Sequence, residues 1–99
     1  MDFKKAFGIA FKEARVAKKL TQEDFGLVSS RTYISTIERG LKSVTLDKLN
    51  EISTVLNIHP MTLIGMAFLK LNKNLSVTDL SQQISSEIRD IAKLNGDIE

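Results

Sequence analysis

Leu20-Thr21-Gln22-Glu23-Asp24-Phe25-Gly26-Leu27-Val28-Ser29-Ser30-Arg31-Thr32-Tyr33-Ile34-Ser35-Thr36-Ile37-Glu38-Arg39-Gly40 is the stretch that decides how this chain folds. Thr21 followed by Gln22-Glu23-Asp24 reads as a capped helix start. A threonine hydroxyl accepts the free N–H groups there, and acidic residues favour the positive end of the helix dipole. A short helix is therefore expected over residues 21–28. Ser29 and Ser30 can cap a second one over 31–39, with Ile34 and Ile37 turned inward. Gly40 ends it in the manner of a C-terminal glycine.

The same reasoning extends outward. Upstream, Phe3, Phe7, Ala10, Phe11, Ala14 and Ala17 recur at three- and four-residue steps and build one apolar stripe, so a helix is expected over 3–19. Downstream, Thr45 caps a helix whose buried stripe is Leu46, Leu49, Ile52, Val55 and Leu56. Asn57-Ile58-His59 breaks it, with His59 read as a cap or turn residue. Pro60 takes the first helical position, where its missing N–H costs nothing, and opens a helix to Leu71. Asn72-Lys73-Asn74 is a polar hinge. Ser76 or Thr78 starts a last helix with Val77, Leu80, Ile84, Ile88, Ile91 and Leu94 on one side. The expected organisation is a domain over 1–72 and an amphipathic extension over 76–95.

Composition narrows the function. The 99 residues, 42% hydrophobic and 26% charged, suit one packed domain. The absence of cysteine excludes a disulfide scaffold, a thiolate zinc site and a cysteine nucleophile. A single histidine, His59, leaves no multi-histidine metal site, and five glycines with one proline argue against a turn-rich β fold. Asp24, Glu38, Asp47 and Glu51 lie on separate helices or faces, so no carboxylate pair suggests acid–base chemistry. No catalytic residue, metal or cofactor is expected. Lys4 and Lys5 precede no apolar run of leader type, and the longest apolar run, 61–69, is shorter than the roughly 20 residues a spanning helix needs. A cytoplasmic protein without a membrane partner is expected.

Net charge is only +2, but it is unevenly spread: +4 over residues 1–44, +1 over 45–75 and −3 over 76–99. A polyanion would meet the N-terminal part, although scattered lysines also serve simply to solvate a helix.

Two short helices at a tight junction are the arrangement of helix-turn-helix DNA-binding domains. The block from Leu20 to Phe25, the block from Ser30 to Gly40, and Thr45-Leu46-Asp47-Lys48-Leu49 together resemble the Cro/C1-type (XRE) helix-turn-helix family over residues 3–65. The Arg-Thr-Tyr-Ile-Ser run at 31–35 is similar to that of small restriction–modification controller proteins and also occurs in other regulators of the family. The resemblance implies an all-α, lambda-repressor-like domain of about five helices, here with a C-terminal amphipathic helix. It implies a transcriptional regulator that binds double-stranded DNA, with a pseudo-palindromic operator, a homodimer and a recognition helix over 31–39.

On such a helix the residues facing a major groove are Arg31, Thr32, Ser35 and Thr36, expected at base edges. Arg31 can donate two hydrogen bonds to guanine O6 and N7. The family pattern puts Gln22 on a phosphate and against the recognition helix, and puts Arg39, Lys42 and Ser43 along the DNA backbone. Ser30 and Tyr33 join the expected backbone contacts, with two roles open for Tyr33: its ring packs, or its hydroxyl reaches the DNA. At positions matching Arg15 and Glu38 the family often carries a scaffold ion pair. The span 21–40 is shorter than the family's usual one near 25–30, so the first helix or the turn must be shortened.

Apolar residues after position 60 exceed what this domain needs. Met61, Leu63, Ile64, Met66, Phe68, Leu69 and Leu71 cover more than one helix face. The last helix either folds back or pairs with a second copy, with Met61, Ile64, Phe68, Leu80, Ile84 and Ile88 as the expected dimer interface. The alternative is an antitoxin-like module whose C-terminal helices neutralise another protein.

Overall fold

Asp2 starts the first helix by accepting the Lys5 N–H on its carboxylate at 3.0 Å, satisfying an amide that the helix leaves free. In this computed structural model, which describes residues 1–96, helix α1 spans Phe3–Ala17. A 3₁₀ turn, Gln22–Phe25, follows. Then come α2 (Arg31–Glu38), α3 (Leu46–Leu56), α4 (Pro60–Leu71) and α5 (Val77–Leu94). Each has the cap its sequence offers. Ser30 Oγ accepts from Tyr33 N, Thr45 Oγ1 from Lys48 N, His59 Nδ1 from Met61 N and Ser76 Oγ from Asp79 N, all at 3.0–3.1 Å. The architecture is all-α, with no strand among the described residues. Asp97 and Glu99, counted in the acidic end of the sequence, lie outside them.

The helix ends are equally local. Gly40 adopts φ +71° after α2, and the Gly40 and Leu41 N–H groups bond back to the Ile37 and Thr36 carbonyls, a reverse turn that satisfies the last free acceptors. Lys19, at φ +59°, does the same for α1, with the Lys19 and Leu20 N–H groups on the Val16 and Arg15 carbonyls. Helix α1 thus ends two residues before the expected position 19.

The core gathers Phe7 and Phe11 of α1, Phe25 of the 3₁₀ turn, Ile34 and Ile37 of α2, Leu49, Ile52 and Leu56 of α3, and Leu63 and Ala67 of α4. Phe25 meets Phe11 edge-on with centroids 5.3 Å apart, a favoured aromatic geometry. No single helix of the described residues is long and apolar enough to cross a membrane; α3 and α4 pass that test only jointly and are bent by 102°. Leu49, Ile52 and Leu56 of α3 and Leu63 and Ala67 of α4 fill this core.

Two expectations need correction. The helix expected over 21–28 is only the four-residue 3₁₀ turn, because the Val28 and Ser29 N–H groups both return to the Phe25 carbonyl and close the chain there. Leu46 is 79% exposed although its spacing puts it on the stripe. The buried α3 face is instead Leu49, Ile52, Ser53 and Leu56, with the Ser53 hydroxyl lacking a hydrogen-bond partner among the described residues. Ala17 and Phe3 are exposed at the ends of α1, although the Phe3 ring sits 5.1 Å from that of Phe68. Helix α5 itself buries no residue: only Leu80 and Ile84 of its stripe are half-covered, and Val77, Ile88, Ile91 and Leu94 face outward.

Gly8 fixes how closely α1 approaches α2. A Cβ there would lie 2.4 Å from the Ile37 carbonyl oxygen and 2.7 Å from that of Glu38. Glycine inside a helix is ordinarily worse than alanine by about 0.5–1 kcal/mol. Here the sign reverses, and Gly8→Ala lowers stability by about 1–3 kcal/mol, read as a lower urea midpoint at unchanged slope.

Candidate nucleic-acid interface

Glu38, at the end of α2, carries a carboxylate only 4% exposed, and three donors compensate it. Arg15 Nε reaches Oε2 at 2.6 Å, Arg15 Nη2 reaches Oε1 at 3.0 Å, and Gln22 Nε2 donates to Oε1 at 3.1 Å. Arg15, itself 13% exposed, also donates from Nη1 to the Leu20 carbonyl at 2.9 Å. One buried network therefore joins α1, the entry to the 3₁₀ turn, and α2. The hydrogen bonds that Arg15 donates to Glu38 hold its guanidinium above the ordinary pKa; partial burial opposes this, and the charges of Glu38 and Glu23 add to it. Gln22 is thus a brace on α2, as the family pattern implies.

Beside this network, α2 presents its outward face. Ile34 and Ile37 are buried, while Arg31, Thr32 and Arg39 are exposed and Ser35 is half-buried. Gln22, Arg31, Thr32, Ser35 and Arg39 line one shallow cleft of about 340 Å³. Five of the residues singled out from the sequence are thereby brought together.

The others stand apart from the cleft. Thr36 is half-buried, and its hydroxyl donates to the Thr32 carbonyl at 2.8 Å. Ser30 spends its hydroxyl on the α2 cap. Tyr33 lays a half-buried ring on the core, with Lys48 Nζ 5.8 Å from the ring centroid. Lys42 and Ser43 line a separate crevice beside Lys4 and Phe3.

The junction between turn and helix is built differently from an ordinary loop. Phe25 accepts from both Val28 and Ser29, at 3.0 and 2.9 Å, and Leu27 is fully exposed at the tip. Lys48 of α3 donates to the Val28 carbonyl and to Glu51, so a side chain 20 residues away pins the shortened turn. Two further residues escaped the reading of the sequence. Glu23 pairs with Arg31, Oε1 to Nε at 2.9 Å, and Lys4 stands beside Lys42. Glu23 had a local signal, an acid in a turn facing a basic helix, whereas Lys48 and Lys4 had none.

Across the molecule, Met61 and Phe68 of α4 are exposed and Ile64 is half-buried. Together with Leu80 and Ile84 of α5 they border two adjoining apolar recesses, of about 550 and 310 Å³. Ile88 lies further along α5, beside Ser85 and Ala92. No cluster of metal-ligating side chains occurs among the described residues.

The two ion pairs of the site differ in burial and so in energetic weight. Removing one partner of a buried pair strands the other charge, at a cost of about 3–5 kcal/mol, whereas an exposed pair contributes about 0–1 kcal/mol. Chemical denaturation of Glu38→Ala shows the larger loss, and Glu23→Ala stays within about 0.5 kcal/mol of the parent.

The helix-turn-helix family model matches residues 11–63, from the middle of α1 into α4. The control protein C.BamHI of Bacillus amyloliquefaciens is 38% identical over 61 residues, covering 59% of this chain and 75% of that protein. No solved structure gives a significant match. With the buried Arg15–Glu38 pair holding α2 and its outward face free, the chain belongs to the Cro/C1-type helix-turn-helix family of DNA-binding transcriptional regulators.

Proposed function

We propose that this regulator binds a pseudo-palindromic operator as a homodimer, with α2 of each copy in a major groove. The observation that carries the reading is the division of α2 into a core-facing side, Ile34 and Ile37, and a cleft-facing side held rigidly by Glu38 and Gln22. Arg31, Thr32, Ser35 and Thr36 meet base edges, since a major groove admits one helix and offers each base pair a distinct donor and acceptor pattern. Gln22, Ser30, Tyr33, Arg39, Lys42 and Ser43 meet the DNA backbone and set register without reading sequence. The excess positive charge of residues 1–44 supplies the salt-dependent part of the affinity. The protein acts in the cytoplasm by binding alone, without catalysis or cofactor.

Dimerisation rests on the open α4–α5 face. Met61, Ile64, Phe68, Leu80, Ile84 and Ile88 form the interface, continued by Ile91 and Leu94. A contiguous apolar face of this kind is rare on a monomer, and pairing places two recognition helices about one DNA turn, ~34 Å, apart. Residues 1–72 form the DNA-binding unit and 76–95 the dimerising extension. The 550 Å³ recess also favours a second reading, in which another protein occupies it as in an antitoxin.

Three measurements check this. A duplex selected from a random library binds in a band-shift assay, and Arg31→Ala weakens that binding by about 1–3 kcal/mol while relaxing preference at one base pair. Lys42→Ala weakens all duplexes alike and reduces the salt slope by about 0.9. Light scattering finds a dimer that Ile88→Asp converts to a monomer of unchanged α1–α4 stability; a parent chain monomeric at all concentrations supports the partner-binding reading instead.

A further inference from the structure

We infer that Glu23 is a positioning residue that sets the sequence discrimination of Arg31. The inference rests on the DNA-binding reading above. Arg31 is the first residue of α2, where the positive end of the helix dipole disfavours a cation. The one carboxylate of α2, Glu38, is already engaged by Arg15 and Gln22. What holds the Arg31 guanidinium is Glu23, on the preceding 3₁₀ turn, with Oε1 2.9 Å from Nε. The two side chains are 69% and 62% exposed, so the pair does little for stability. It stands instead beside the cleft that Arg31 shares with Thr32, Ser35, Arg39 and Gln22.

The geometry has two consequences. A guanidinium presents its donors in a rigid planar fork. With Nε paired to Glu23, the Nη1–Nη2 end of the fork is the edge assigned to a two-bond contact with guanine O6 and N7. The carboxylate also cancels the charge of Arg31 wherever no guanine is offered, so Arg31 adds little to the sequence-independent attraction for phosphates. The separation of Glu23 from Arg31 is fixed by backbone, because the short junction is closed on the Phe25 carbonyl and pinned by Lys48 at Val28. Glu23 therefore weakens binding to wrong DNA and leaves binding to right DNA nearly intact.

The test uses the full chain with two probes: a duplex selected on the parent protein from a random library, and a mixed-sequence duplex of equal length. Four proteins are titrated over a range of KCl concentrations: parent, Glu23→Gln, Arg31→Ala and the double variant. Glu23→Gln raises affinity for the mixed duplex about fivefold near 0.15 M salt and steepens its salt slope by about 0.9, the effect of one added phosphate contact. Affinity for the selected duplex moves much less, so selectivity falls. In the Arg31→Ala background the same substitution leaves selectivity unchanged, because Glu23 acts through the arginine. Unchanged selectivity in Glu23→Gln overturns the inference. So does an equal fall in both backgrounds, which means that Glu23 reads a base itself. A parent protein that prefers no duplex over mixed sequence overturns the DNA-binding reading, and this inference with it.

Discussion

Everything that α2 does depends on a carboxylate placed where water cannot reach it. Glu38 is buried at the end of a short helix, and a buried charge is tolerable only when donors surround it. Arg15 and Gln22 supply them from two other segments, and Arg15 reaches the Leu20 carbonyl as well. Such a pair adds little net stability compared with well-packed apolar residues, but it demands direction. The two parallel bonds of an arginine fork define both distance and plane, so α1, the turn and α2 have one mutual arrangement in which the charge is satisfied. Gly8 allows that arrangement by letting α1 lie against the carbonyls at the end of α2.

The consequence is a separation of duties along eight residues. Ile34, Ile37 and Glu38 anchor the helix, and Arg31, Thr32 and Ser35 take no part in that anchoring. Changes in the second group leave the anchor untouched, which suits a fold whose members read different sequences through the same scaffold. Thr36 is intermediate, half-buried and bonded to the Thr32 carbonyl, and Tyr33 is tied to the core by its ring.

What could be read in advance was local. Ser30, Thr45, His59 with Pro60, Ser76 and Gly40 announce helix ends because caps act within four residues, and the 3.6-residue period announces which faces are apolar. The family pattern added the Arg15–Glu38 pair, whose 23-residue separation no local rule reaches. What remained hidden depends on non-local geometry. Period shows the direction in which Leu46 points, but not that nothing lies over it. Gly8 is a contact surface between helices, and nothing in its local sequence marks it as one. Lys48 helps close a turn 20 residues earlier, a contact no local rule reaches. The shortened junction was visible as a deficit in length, yet its solution, a 3₁₀ turn closed twice on Phe25, is a matter of backbone hydrogen bonds.

Helix α5 leaves the body of the domain holding on by Leu80 and Ile84, while Ile88, Ile91 and Leu94 have nothing over them. A lone helical segment of two or three turns is marginal in water, since helices shorter than about 12–15 residues gain too little from their own hydrogen bonds. The distal turns of α5 are thus stable in proportion to what covers them. On the homodimer reading, ordering of these turns and association become one mass-action equilibrium. A cell holding few copies would contain frayed, singly binding monomers, and a cell holding many would contain rigid pairs. The abundance of the protein would then act as its own input, with a threshold set by a few aliphatic side chains far from any DNA.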